Sequence, residues 1–194
     1  MNDFNFYFTF GWQHILSINA LDHLLFLVAL TAIYVFKEWK QILILITAFT
    51  IGHTATLVLS VLDKVRFATN WVEFLIPCTI IFTALFNIVQ RKKSVASFHL
   101  NYFLALLFGL VHGMGFANSI RFMLADNQNM GVSLLGFNLG IELGQTVVVA
   151  LILLIATLMF SIFKISRQTW IIVLSVASGA MALKLAFERL LLIF

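Results

Sequence analysis

Read for the spacing of its apolar positions, the chain falls into six long runs with few polar interruptions, at residues 20–36, 41–62, 71–89, 100–120, 134–163 and 169–191. Each is near the ~20 residues that cross a ~30 Å hydrocarbon core as α-helix. None alternates with the period of two that a membrane barrel strand would show. The pattern predicts an all-α fold, a polytopic membrane protein in which a compact bundle of six transmembrane helices forms one domain over residues 1–194. The fifth run is longer than a membrane needs, so it tilts, extends past the bilayer or starts outside it. The polar breaks at 37–40, 63–70, 91–97, 125–131 and 164–168 are too short to hold a second domain.

Ahead of the first run, "MNDFNFYFTFGWQHILSIN" sets Phe4, Phe6, Phe8 and Phe10 at alternate positions. This stretch is too short to span, which predicts an interfacial or re-entrant segment over 1–19. It has no cationic start and no small-residue cleavage site, so it reads as part of the mature protein. Composition agrees with a lipid bilayer as the main partner: 62% of residues are hydrophobic and 10% charged, and mean hydropathy is +1.04. The net charge of +4 is scattered through the breaks and forms no stripe for nucleic acid. It carries topology instead. With the N-terminus outside, the inner breaks hold Lys37, Lys40, Arg91, Lys92, Lys93, Lys164 and Arg167, against Lys64, Arg66, Arg121 and Arg189 outside. The positive-inside rule then puts both termini outside a bacterial cytoplasmic (inner) membrane. Trp12, Trp39, Trp71 and Trp170 fall near span ends, as an aromatic belt would require. The lone Cys78 can form no internal disulfide and reads as packing.

Ionisable groups at membrane depth are costly, so each needs a partner, a wet cavity or a function. Asp22, His23, His53, Glu73, His112 and Glu142 are the informative ones. Threading six helices up and down, at ~1.5 Å per residue, places all of them in the outer half of the bilayer. On the fifth run Asn138, Glu142 and Gln145 follow i, i+4, i+7 and make one polar stripe. Gly136, Gly140 and Gly144 form a small-residue ridge for close helix packing on roughly the opposite face. Thr50, His53, Thr56 and Ser60 share a face of the second run, and Gly109, Gly113 and Gly115 surround His112. Several imidazoles with two or three carboxylates at one level form the ligand set of a divalent transition metal such as nickel or zinc, whereas magnesium or calcium would not need the histidines.

Each group also has a plainer role. An isolated intramembrane histidine more often hydrogen-bonds a neighbouring helix than binds metal, and His14 and His99 keep that reading on position alone. Asp22 could cap the first run through the helix dipole, and Glu142 could pair structurally with a histidine. Lys184 and Glu188, at i and i+4, read as an ion pair or a snorkelling end. The shared depth of His23, His53, Glu73, His112 and Glu142 favours metal binding over a set of unrelated accidents.

The stretches "HILSINALDHLLFLVAL" (14–30), "FTIGHTATL" (49–57), "VEF" (72–74), "FGLVHGMGFA" (108–117) and "FNLGIELGQ" (137–145) together resemble the HupE/UreJ family of bacterial membrane proteins. Members are described as nickel permeases serving hydrogenase or urease maturation. The resemblance implies that its His-and-Asp motif falls on His14, Asp22 and His23, and that maturation proteins are partners alongside the metal ion. The spacing of His14 to Asp22 departs from that of better-known members, and a later His-rich motif is missing. The resemblance therefore implies metal handling more firmly than it implies nickel.

Two functions are compatible with these residues. In the first, a permease captures a divalent ion at His14, Asp22 and His23 and completes its coordination with His53, Glu73, His112 and Glu142, supported from behind by Asn138, Gln145, Thr50 and Thr56. Asp22 in this reading either ligates directly or fixes a neighbouring imidazole. In the second, an intramembrane metalloenzyme uses Glu73 or Glu142 as general base on a metal-activated water to hydrolyse a lipid or membrane-embedded substrate. No H-E-x-x-H signature accompanies it. Self-association into a homo-oligomer fits either.

Overall fold

The computed structural model describes residues 3–66, 68–90, 98–123 and 129–193. The basic break with Arg91, Lys92 and Lys93, most of the 125–131 break and the side chain of His99 lie outside the described residues. Among those described, regular structure is entirely helical. The elements are α1 (Asp3–Leu16), α2 (Leu21–Thr31), α3 (Trp39–Val61), α4 (Thr69–Gln90), α5 (Phe98–Met123), α6 (Met130–Ser161) and α7 (Arg167–Leu190). The last five are each long and apolar enough to cross a membrane. Starts follow from local chemistry: the Asn129 side chain accepts from the amide of Val132 to open α6, and Ser166 accepts from Thr169 to open α7.

The first expected run is where sequence and structure part. At 11 residues α2 is about 16 Å long by the helical rise, too short to cross. It is preceded by α1, joined to α2 through a turn at Ile18–Ala20 with a bend of 68°, and the bent pair together has the length and apolarity of a broken span or a re-entrant segment. The N-terminal stretch is thus a helix bent against α2, closer to the re-entrant expectation than to the interfacial one.

Glycines seat α1. Added Cβ atoms at Gly136 and Gly140 would strike the backbone at Phe4 and at Phe8 and Trp12, and one at Gly144 would touch Ile15, so α1 lies parallel to the first half of α6 in van der Waals contact. The expected ridge is therefore the bed for α1. The Trp12 backbone amide takes part in this packing, while the side chains of Trp39 and Trp71 are exposed at helix starts. Tyr7 and Ile15 of α1 are fully buried.

Two other pairs pack as tightly, α3 with α5 and α4 with α7. A side chain at Gly52 would meet the backbone of Leu106, one at Gly109 the backbone of Phe49, and one at Gly113 the backbone of His53. This close crossing brings the two histidines of α3 and α5 to one level.

Both described ends of the chain, at Asp3 and Ile193, lie on one side of the bundle. The chain enters beside the start of α6, α2 runs on until the Ile33 carbonyl meets Arg167 at the start of α7, and α7 returns so that Asn70 Nδ2 donates to the Leu192 carbonyl at 3.2 Å. At that terminal side Arg66 clasps Asp63 through two 2.7 Å bonds, and Arg121 reaches both Asp63 and the Ser60 carbonyl. At the far side Glu38 accepts from Arg167 and from the amide of Val35.

Candidate metal centre

The break between α1 and α2 organises the polar centre. The last carbonyls of α1 lack helical partners, and the first amides of α2 are likewise free to bond elsewhere. His14 sits in the last turn of α1, and Asp22 and His23 in the first turn of α2. Oδ1 of Asp22 accepts two bonds from the next residue, from the His23 amide at 2.8 Å and from its Nδ1 at 3.0 Å. An ionised carboxylate only accepts, so Nδ1 of His23 carries the proton and Nε2 keeps its lone pair. The expectation that Asp22 steadies a neighbouring imidazole thus has a geometric counterpart.

His112 is held in the same way. Its Nδ1 lies 2.8 Å from the carbonyl of Phe108, another group that only accepts, and again Nε2 is left with the lone pair. The ring of His23 stands 5.1 Å from that of His112, 4.9 Å from that of His14 and 6.0 Å from that of His53. His53 is fully buried, His112 is 1% exposed and His23 4%. Nε2 of all four rings, and Nδ1 of His53, are buried without a hydrogen-bond partner. Asn138 Oδ1 is also buried without a partner; its side chain lies beside His53 while Nδ2 donates to the Leu134 carbonyl.

A cavity of about 150 Å³ opens against this group, bounded by His14, Asp22, His23, Glu73, His112 and Arg189. A neighbouring cavity of about 190 Å³ shares Asp22, Glu73 and Arg189 and adds Pro77. Proline has no N–H to give the carbonyl four residues earlier, so the backbone oxygen of Glu73 lacks its usual helical donor where these cavities meet. The Glu73 carboxylate itself is ion-paired with Arg189 of α7, a contact that the sequence alone did not lead us to expect.

The remaining expected residues divide. Gln145 accepts from Thr50 at 3.1 Å, while its Nε2 is buried without a partner. Thr56 turns back to the carbonyls of Gly52 and His53 on its own helix. Glu142 stands apart from the histidine cavity: it accepts from Thr47 at 2.6 Å and lines a lateral groove of about 660 Å³ between α3 and α6, together with Thr50 and Asn138. Lys184 and Glu188 form the expected i, i+4 ion pair at 3.6 Å.

Residues 1–189 match the family model described as HupE / UreJ protein. The chain belongs to this family. No curated protein and no solved structure matched. Membership suggests a metal-handling membrane protein, and with the helical bundle it supports a multi-pass location in the inner membrane. Among the described residues, no group of three or more His, Cys, Asp or Glu side chains is placed so that it could hold a metal ion as it stands. What the HupE/UreJ fold assembles in this chain is a convergence of imidazoles from α1, α2, α3 and α5, with the lone pairs of His23 and His112 fixed on Nε2.

Proposed function

We propose that this protein binds a divalent transition-metal ion, nickel or a chemically similar one, at His14, His23, His53 and His112, and carries it across the inner membrane as its cargo. One observation carries the reading: five imidazole nitrogens, buried within one cluster, have no hydrogen-bond partner. Leaving a buried polar atom unpaired costs about 1–3 kcal/mol, and a cluster of them needs an explanation. A cation with high affinity for neutral imidazole supplies one.

Chemistry sets what must move. Nitrogens ligating at about 2.0–2.1 Å in a tetrahedron lie roughly 3.4 Å from one another; no three such side chains among the described residues meet that way as they stand, so the rings must turn or shift to aim their nitrogens at one centre. His23 and His112 need no change of tautomer, because Asp22 and the Phe108 carbonyl hold the Nδ1 protons. His53 and His14 supply the adjustable nitrogens, and the bend beside His14 supplies the hinge. Discontinuous helices recur at the ion-binding sites of transporters. Beyond the Phe26, Phe49 and Phe108 rings, which pack under His112, a cavity of about 20 Å³ lined in part by Asn87, Asn101 and Tyr34 lies on the way to the far side.

The hydrolytic alternative has less support. Glu73 is engaged by Arg189 and Glu142 by Thr47, so neither carboxylate is poised as a base beside the imidazoles.

Two measurements test the reading. Purified protein exposed to Ni²⁺ and desalted retains bound metal by elemental analysis, and His23→Ala and His53→Ala variants do not. Cells producing the protein accumulate more nickel than cells producing His53→Ala. Equal accumulation despite lost binding would remove transport and leave a binding protein; no retained ion of any transition metal would remove both.

A further inference from the structure

The cavity beside the histidines contains one positive charge of its own. Arg189 comes from the far end of the chain, the next-to-last residue of α7, and its guanidinium rests on Glu73. Both side chains are about a third exposed, at 36% and 35%. They border both cavities on the terminal side, and those cavities share Asp22 as well. An ion reaching His23 from that side passes this pair.

Charge balance constrains how such an ion can enter. With Asp22 and Glu73 ionised and Arg189 in place, the fixed charge around the cavity is −1. Adding a divalent ion while Arg189 stays gives +1; adding it as Arg189 withdraws to solvent gives 0. Two like-signed cations close together in a partly desolvated site repel strongly, so the neutral arrangement is favoured. Arginine is suited to this exchange, since its long stem lets the head reach solvent while the stem stays on apolar surface.

We propose that Arg189 is a tethered competitor for the metal: its guanidinium occupies Glu73 until a divalent ion displaces it, so Arg189 sets the affinity at which the histidine cavity loads. This inference rests on the metal-binding reading above. Holding α4 to α7 is a role already served by other contacts. The two helices pack along their length, Gly179 lies against Ala84, and Asn70 bonds the Leu192 carbonyl.

The sign of one change separates competitor from structural pin. Full-length protein in lipid nanodiscs is titrated with Ni²⁺ for the wild type, Arg189→Gln, Glu73→Gln and the double variant. A competitor predicts that Arg189→Gln binds Ni²⁺ more tightly, by on the order of tenfold within the usual range of coupling between sites. Glu73→Gln binds more weakly, and adding Arg189→Gln to it recovers little, because the two act through one contact. Arg189→Lys keeps the charge but loses the planar two-pronged fit to carboxylate; it tightens binding by a smaller factor and stands in should Arg189→Gln not fold. Unchanged or weaker binding in Arg189→Gln, or in Arg189→Lys where that variant replaces it, overturns the competitor. If the wild type binds through His23 and His112 and the arginine variants are no tighter, only this inference falls. If the wild type binds no Ni²⁺, Co²⁺ or Zn²⁺, the metal reading falls with it.

Discussion

Two buried polar clusters occupy opposite halves of this bundle. On the far side, Asn87 donates to the Ala29 carbonyl at 2.7 Å and approaches Ser175 at 3.4 Å, while Asn101 donates to the Tyr34 hydroxyl at 2.9 Å. None of these side-chain atoms is buried without a partner. On the terminal side, His14, His23, His53 and His112 leave five nitrogens unsatisfied. Both clusters are closely packed and both cost solvation to bury. They differ in whether the protein itself completes the bonding. A closed network holds helices together; an open one, with two rings oriented by Asp22 and the Phe108 carbonyl, leaves lone pairs unpartnered, and in the function proposed above these are what the metal takes up.

The largest effect expected from this contrast is a pair of leucine substitutions. His53→Leu should abolish retained metal while leaving the thermal unfolding of the metal-free protein unchanged or raised, because the ring gives up at most a weak contact with Asn138. Asn87→Leu should keep metal and lose stability, by about 1 kcal/mol as for other polar contacts between membrane helices. Elemental analysis and unfolding in the same detergent read both. If His53→Leu is the destabilised variant and still holds metal, the histidines are structural and the contrast is lost.

Next in size is the seating of α1. A leucine at Gly140 would drive its side chain into the Phe8 backbone. Overpacking of this kind costs about 1–3 kcal/mol, and here it also shifts His14 away from its partners. Gly140→Leu should weaken Ni²⁺ binding and destabilise the protein together, whereas Gly131→Ala, whose Cβ would meet nothing closer than Asn129 Oδ1 at 3.4 Å, should do neither. Intact binding in Gly140→Leu would show that α1 is not part of the centre.

A smaller effect separates the acidic groups. Asp22→Asn still accepts a hydrogen bond but removes the charge that polarises His23, and changes to such supporting groups typically cost about 10–100-fold in metal affinity. Glu142→Gln should change it by less than about threefold, since its carboxylate faces the lateral groove. Equal losses in the two would place Glu142 in the coordination sphere after all.

These distinctions mark what the sequence could show. Five spans were readable from apolar length alone, and the ridge of Gly136, Gly140 and Gly144 announced a close neighbour. Its identity was not readable, because α1 is too short to register as a span and its alternating phenylalanines resemble a surface segment until α6 is placed beneath them. The convergence of His23, His53 and His112 followed from counting residues along helices. The facing of Glu142 did not: the stripe of Asn138, Glu142 and Gln145 is wide enough to straddle the interior and the groove, and only the position of α3 decides which member turns where. Arg189 was counted as a topological charge, since nothing in a sequence pairs residues 116 positions apart.

The smallest effect tests a third kind of polar cluster, closed by charge and outside the membrane. Hydrogen bonds from Arg66 hold the Asp63 carboxyl below its ordinary range, with the charges of Arg66 and Arg121 adding to the shift. A depressed carboxylate contributes stability above its unfolded value near pH 4, and that contribution is lost as pH falls through the folded value. Asp63 also has φ of 57°, a left-handed conformation that asparagine tolerates nearly as well as aspartate. Asp63→Asn therefore removes the charge without straining the turn. Between about pH 5 and pH 3 the thermal midpoint of the wild type should fall slightly more than that of Asp63→Asn, and added salt should narrow the gap because both partners face water. A gap that persists in high salt would mean that the bond from Arg121 to the Ser60 carbonyl anchors the α3 and α5 ends as one unit, and that this exposed cluster behaves like the buried one at Asn87.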